Sequence, residues 1–163
     1  MEFRAPKQEK PKSGLAFNLF VRVFGLAGFA AFMLPYYKGI PSVEIGQLLL
    51  DTFQSQGFAA IPEALFANAN ETAQGMTLAW MLVAGPILGV FFSLWMVLSG
   101  KYAGGPFTFA LCFVFLGWVA FTIFKSHLGI EMGFFSFVDT GFWAQMGALS
   151  IPLLGMFALD KSI

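Results

Sequence analysis

The chain has 163 residues, enough for one domain, with a net charge of zero, a hydrophobic fraction of 58% and a charged fraction of 11%. Because a soluble domain carries about 25% charged residues, this composition excludes an ordinary soluble domain and predicts an integral membrane protein. The zero net charge gives no electrostatic basis for binding nucleic acid, and the single cysteine, Cys112, excludes an intrachain disulfide.

Residues 1–14 form a basic arm, expected in the cytoplasm, whose Lys10 and Lys12 are placed to bind anionic lipid headgroups. The apolar run from about residue 15 to 37 is interpreted as a retained first span, because no cleavage site of a signal peptide follows it. Arg22 lies inside this run, and no acidic residue lies in any apolar run to pair with it. We therefore expect Arg22 to reach the lipid headgroups. The alternative is a partner carboxylate or anionic lipid within the membrane.

An outer loop from about residue 38 to 75 follows. In it, "PSVEIGQLLLDTFQSQG" predicts a short amphipathic helix capped by Ser42 and ended by Gly57, and "IPEALFANAN" predicts a shorter one. We expect both to lie in the interface or to cover the spans, with docking on a partner protein as the alternative. Asn70 begins an N-glycosylation acceptor motif, which matters only in a eukaryotic secretory pathway.

Three further apolar runs cover about residues 76–99, 106–124 and 141–159, and each is close to the ~20 residues that a membrane-spanning helix needs. The runs are continuously apolar, which favours helices over the alternating strands of a membrane barrel. The sequence therefore predicts an all-α fold, an integral membrane four-helix bundle within one membrane domain from residue 15 to 163. Pro86 and Pro152 are expected to kink the second and fourth spans.

Orientation follows from the basic residues. With the N-terminus in the cytoplasm, only Lys38 and Lys125 of the nine Lys and Arg residues fall on the outer side, which predicts cytoplasmic N- and C-termini. Short loops and the lack of outer cysteines favour a bacterial inner membrane. Tyr36 and Tyr37 are expected in the outer aromatic belt.

His127, the single histidine, follows the third apolar run. Its position predicts the aqueous end of a helix, and ligation of a pigment is the weaker alternative. No acid, base or nucleophile cluster stands in mid-membrane, so the sequence predicts no catalytic residues and no metal site.

Small residues are the strongest pattern inside the spans. They allow helix backbones to approach closely, either within the chain or against another subunit. The predicted packing or interface positions are Gly25, Gly28, Gly85, Gly89 and Gly147.

These features predict a non-catalytic multi-pass membrane protein that serves as an accessory, structural or assembly subunit of a larger complex. Its expected partners are membrane lipids, including bound lipid, and other membrane-protein subunits. An oligomeric small-solute transporter or channel is the alternative, and a subunit that binds a pigment or quinone is the weaker one.

Overall fold

A computed structural model describes residues 14–67 and 69–159 of the chain. Lys10 and Lys12 of the predicted basic arm lie outside the described residues, and so does the side chain of Asn70. The described part is all-helical apart from one small hairpin. Its elements in chain order are α1 (Gly14–Ala30), β1 (Pro35–Tyr37), β2 (Ile40–Pro41), α2 (Ser42–Gln56), α3 (Ile61–Leu65), α4 (Ala73–Ser99), α5 (Gly105–Phe124), α6 (Phe134–Phe137) and α7 (Thr140–Leu159).

Three helices of the described chain, two of them with an adjoining 3-10 turn, are long and apolar enough to cross a membrane. They coincide with the first three predicted spans and support a membrane protein. α7 occupies the fourth predicted run, and its 20 residues make a helix of about 30 Å. α1 packs along α4 and α7, and α5 packs against the same two helices. The three candidate spans are Gly14–Met33, Ala73–Ser99 and Gly105–Leu128.

The first helical segment ends before the residue that the sequence predicted. α1 continues only through a 3-10 turn, Ala31–Met33. Leu34 is then extended, because Pro35 disfavours the helical region for the residue before it. Tyr36 and Tyr37 therefore lie in β1 instead of an outer aromatic belt, and their exposed fractions are 0% and 3%.

The hairpin joins the end of α1 to the start of α7. β1 and β2 are antiparallel, and Gly39 in the turn between them has a φ of +77°. The backbone N–H of Lys38 donates to the carbonyl of Phe137 at 2.9 Å, and that of Asp139 donates to the carbonyl of Tyr36 at 3.0 Å. Segments about one hundred residues apart in the chain are thus fixed to each other.

Aromatic rings fill the space between the hairpin and the long helices. Tyr37 stacks on Phe137 with a centroid distance of 4.9 Å, and Phe137 stacks on Phe121 of α5, also at 4.9 Å. Tyr36 meets Phe142 of α7 edge-on at 5.6 Å. All five side chains are buried, so α5, α7 and the hairpin share one aromatic core.

The loop helices form where the sequence predicts them, with differences in detail. α2 ends at Gly57, whose φ of +85° favours glycine. At its start, Pro41 and not Ser42 is the N-cap, and the buried Ser42 hydroxyl has no hydrogen-bond partner within the described chain. The apolar face is only partly covered, since Ile45 is 3% exposed but Phe53 is 56% exposed.

Pro86 interrupts the hydrogen bonding of α4. Without an N–H, it cannot donate to the carbonyl of Leu82, four residues earlier. The hydroxyl of Tyr37 donates to that carbonyl oxygen at 2.6 Å. A side chain from the hairpin thus satisfies the backbone group that the proline leaves free.

Tyr102, in the connection between α4 and α5, makes the matching bond to α7. Pro152 interrupts this helix and frees the carbonyl of Ala148. In the same turn, the carbonyl oxygen of Leu149 accepts a hydrogen bond of 2.6 Å from the Tyr102 hydroxyl. Burial raises the pKa of Tyr102 to about 12, which keeps the hydroxyl protonated and able to donate.

We predict that Tyr37→Phe lowers the free energy of unfolding in detergent by about 1–3 kcal/mol, because it leaves the buried Leu82 carbonyl without a donor. Tyr36→Phe is the matched control: the Tyr36 hydroxyl is buried and has no partner within the described residues, so its removal should cause no loss. Equilibrium unfolding of the two variants, followed by circular dichroism, measures the difference. Equal stabilities would contradict the assigned role of the Tyr37 hydroxyl.

Candidate functional site

The glycines of α1 hold its backbone close to α4 and α7. A Cβ atom added at Gly25 would lie 2.9 Å from the Ser93 carbonyl oxygen and 3.0 Å from the Met96 Cβ. One added at Gly28 would lie 2.5 Å from the Ser93 hydroxyl and 3.4 Å from the Ala148 Cβ. Both distances to Ser93 are too short for a real Cβ, so α1 can approach α4 this closely only where it carries glycine.

The GxxxG pair of α4 also faces neighbours within the chain. The ring of Phe113, on α5, lies over Gly85, and the side-chain amide of Gln145, on α7, lies over Gly89. A methyl group at either glycine would overlap these side chains. The sequence allowed this face of α4 to contact either the chain's own helices or another subunit. In the structure it is occupied by α5 and α7.

Buried polar side chains lie beside these glycines, and one of them links α7 to α1. The Ser93 hydroxyl donates to the carbonyl of Gly89 within α4 at 2.8 Å, and the Gln145 amide nitrogen on α7 donates to the carbonyl of Gly28 on α1 at 3.4 Å. Gln145 is 0% exposed, and its amide oxygen has no partner within the described residues. Interhelical hydrogen bonds of this kind strengthen packing between membrane helices.

Arg22 has two partners inside the protein. Its guanidinium donates to the side-chain oxygen of Asn18 at 2.8 Å and to the carbonyl of Val97 at 2.9 Å. Val97 lies in the last turn of α4, where carbonyl groups lack partners within the helix. Arg22 therefore links α1 to the C-terminal end of α4, where a cation also complements the helix dipole, and a headgroup contact stays a prediction.

Gly147 differs from the other four predicted glycines, because no heavy atom beyond its own helical turn lies within 4 Å of its Cβ position. It faces a groove of about 290 Å³ between α5 and α7. Ala110 and Gly147 provide small residues, and Leu111, Val114 and Trp143 also line the groove. We call this the Gly147 groove.

A second groove, of about 410 Å³, lies between α2 and α4. Its lining contains no charged side chain and includes Leu50, Phe53 and Ile87. Phe58 and Trp80, which also line it, stack with a centroid distance of 4.6 Å. This surface, here the α2–α4 groove, suits an apolar group.

His127 lies in the 3-10 turn Lys125–Leu128 that follows α5, as expected for the end of this helix. It is half-buried, and its ring is 6.3 Å from that of Phe124. Gly129 ends the turn with a φ of +68°. In the described part of the chain, no three His, Cys, Asp or Glu residues are grouped so that they could hold a metal ion.

Comparison with protein families, curated proteins and solved structures yields no significant match to this chain. Any function is therefore argued from the chain's own geometry.

We predict that Gly85→Leu and Gly89→Leu each destabilise the isolated monomer, by about 1–3 kcal/mol or more, because the new side chain overlaps Phe113 or Gln145. Gly147→Leu is the matched control, since its side chain enters open space. Thermal unfolding in detergent, read by size-exclusion chromatography of the remaining monomer, measures all three. Similar losses of stability in all three variants would show that the loss of the glycine itself, and not the overlap with Phe113 or Gln145, causes the effect.

Proposed function

We propose that the chain is a non-catalytic, four-span membrane protein that acts as an accessory, structural or assembly subunit of a larger membrane complex. In this proposal α1, α4, α5 and α7 form a four-helix bundle in a bacterial inner membrane, with both termini in the cytoplasm. Membrane lipids, some of them bound, and other membrane-protein subunits are its partners.

The proposed fourth span is supported by how α7 places its polar residues. Gln145 is fully buried against α1 and α4. The Ser150 hydroxyl donates to the carbonyl of Met146 at 2.7 Å, within its own helix. The Ser150 hydroxyl is thus satisfied within α7, and the Gln145 side chain is kept away from the lipid-facing surface, although its amide oxygen has no partner within the described residues.

The Gly147 groove is the observation that carries the proposed subunit role. The other predicted packing glycines meet side chains of this same chain, whereas Gly147 and Ala110 leave a recess with small residues between two long helices. Small residues at such a surface allow a helix from another subunit to approach closely. A partner helix with one large apolar side chain would fill the recess.

A role as an oligomeric channel draws less support from the geometry. Pro86 and Pro152, the candidate pore-lining kinks, are both buried. Tyr37 satisfies the carbonyl that Pro86 frees, and Tyr102 bonds in the turn before Pro152. At Pro86, the carbonyl that the proline frees is therefore not available to a permeating solute.

A subunit that binds an apolar ligand is the second candidate, and the α2–α4 groove favours it. Its volume and wholly apolar side chains suit a quinone tail, a carotenoid or an acyl chain. His127 is not among its lining residues, so we base this candidate on the groove alone. Mild extraction followed by mass spectrometry of the organic phase tests it. A stoichiometric quinone or carotenoid would favour it over the first candidate, and bulk lipid alone would not.

The membrane orientation gives a direct prediction. Reporter fusions before residue 14 and after residue 159 should both read as cytoplasmic, and a fusion at Gln56, the last residue of α2, should read as external. The reason is the excess of Lys and Arg on the side of the termini. A C-terminal reporter on the external side would show that α7 or another proposed span does not cross the membrane.

The subunit role predicts a specific effect of Gly147→Leu. The leucine fills the Gly147 groove from within, so the monomer should accumulate normally while co-purification of an unlike membrane subunit is lost. Gly14→Leu is a control, because the Cβ position of Gly14 is also open but lies at the start of α1, away from the groove. Native gels and mass spectrometry after gentle detergent extraction measure the complex. Unchanged co-purification in Gly147→Leu would remove the support for a partner at this groove.

A further inference from the structure

A third recess lies where the C-terminal end of α5 meets α6, and it differs from the two grooves above because it contains a charge. Its volume is about 250 Å³. The residues that line it include Lys125, Thr122, Ser136, Trp118 and Phe135. We call this recess the Lys125 groove.

The ammonium group of Lys125 is held by two backbone carbonyl groups. It donates to the carbonyl of Glu131 at 2.7 Å and to the carbonyl of Met132 at 3.1 Å. An ammonium group has three N–H donors, so one is left for a ligand. The exposed side chain of Glu131 belongs to the same loop, but Lys125 bonds to the backbone carbonyl of that residue.

Exposed aromatic rings continue from the Lys125 groove across the protein surface. Phe115 and Trp118 have centroids 6.4 Å apart, Trp118 and Phe135 are 6.3 Å apart, and Phe135 stacks on Trp143 at 6.0 Å. Their exposed fractions are 43% or more. Exposed Trp side chains such as those of Trp118 and Trp143 are typical of the level of the lipid headgroups.

One face of α5 is exposed and largely apolar. Leu111, Phe115, Trp118 and Thr122 follow the spacing of a single helical face, and Lys125 continues it at the top. Leu111 and Phe115 are each 58% exposed. A molecule with an anionic head and a hydrocarbon chain therefore matches this surface along its length, the head at Lys125 and the chain along α5.

We propose that the Lys125 groove binds the phosphate group of an anionic membrane lipid. The free N–H of Lys125 donates to a phosphate oxygen, the hydroxyl of Ser136 is placed to donate to another, and the acyl chain lies on Phe115 and Leu111. The charge complementarity selects an anionic head, and the apolar stripe selects a lipid over a soluble phosphate. This site depends on the membrane placement proposed above but not on a partner at Gly147.

The test is lipid binding by the purified full-length protein, counted by native mass spectrometry in detergent with added phosphatidylglycerol or phosphatidylcholine. Loss of one basic residue near a lipid surface should weaken phosphatidylglycerol binding about fivefold, so we expect this in Lys125→Gln. Lys38→Gln is the matched control, since Lys38 is exposed and lies outside the groove. Lys125→Arg, which keeps the charge, should bind nearly as well as the unmodified chain.

A second variant controls for misfolding, because Lys125→Gln also removes two hydrogen bonds to backbone carbonyl groups. Ser136→Glu places a carboxylate in the groove while the bonds of Lys125 to Glu131 and Met132 remain. It should weaken phosphatidylglycerol binding at least as much, with thermal stability unchanged.

Several results would overturn the proposal. Equal binding of phosphatidylglycerol to the Lys125→Gln, Ser136→Glu and Lys38→Gln variants would show that the groove is not the site. Equal binding of the two lipids would remove the selection for an anionic head. Displacement of phosphatidylglycerol by millimolar inorganic phosphate alone would identify a soluble phosphate ligand. None of these outcomes involves Gly147→Leu, so the proposed subunit role is judged separately.

Discussion

A backbone carbonyl freed inside an apolar helix must find a donor, and the arrangement of this protein depends on how that requirement is met. In water a freed carbonyl is hydrated, whereas in hydrocarbon it costs several kcal/mol. Tyr37 supplies the hydroxyl for the Leu82 carbonyl that Pro86 leaves free. For Tyr37 to reach α4, the chain must turn inward after α1, and the hairpin and aromatic core around Phe137 are the structure that results.

The long helices were predictable because their signal is local. Continuous apolar runs of about 20 residues identify a helix without reference to any neighbour, and Gly57 and Gly129 mark ends that positive φ angles require. The inward position of Tyr36 and Tyr37 was not predictable in this way. It depends on backbone bonds to residues 137–139, and no pattern within a short window reports a pairing across that distance.

The glycines of the candidate site show the same limit. Their spacing predicts that another backbone or side chain comes close, but the sequence does not say which one. Gly85 and Gly89 face Phe113 and Gln145 of the same chain, while Gly147 faces open space. The distinction between a packing residue and a surface recess arises only when the helices are placed together. The recess proposed at Lys125 was not predictable for a related reason, since Phe135 and Ser136, which line it, follow Lys125 on another element.

The Tyr37 bond also has an order in synthesis. A ribosome synthesises Tyr37 before α4, so the donor already exists when the helix that needs it is made. The Leu82 carbonyl that Pro86 leaves free can thus be paired by a residue made before it, without later parts of the chain. The reverse order would expose an unpaired carbonyl to lipid throughout the synthesis of the next segment. The donor is therefore synthesised before the carbonyl that needs it.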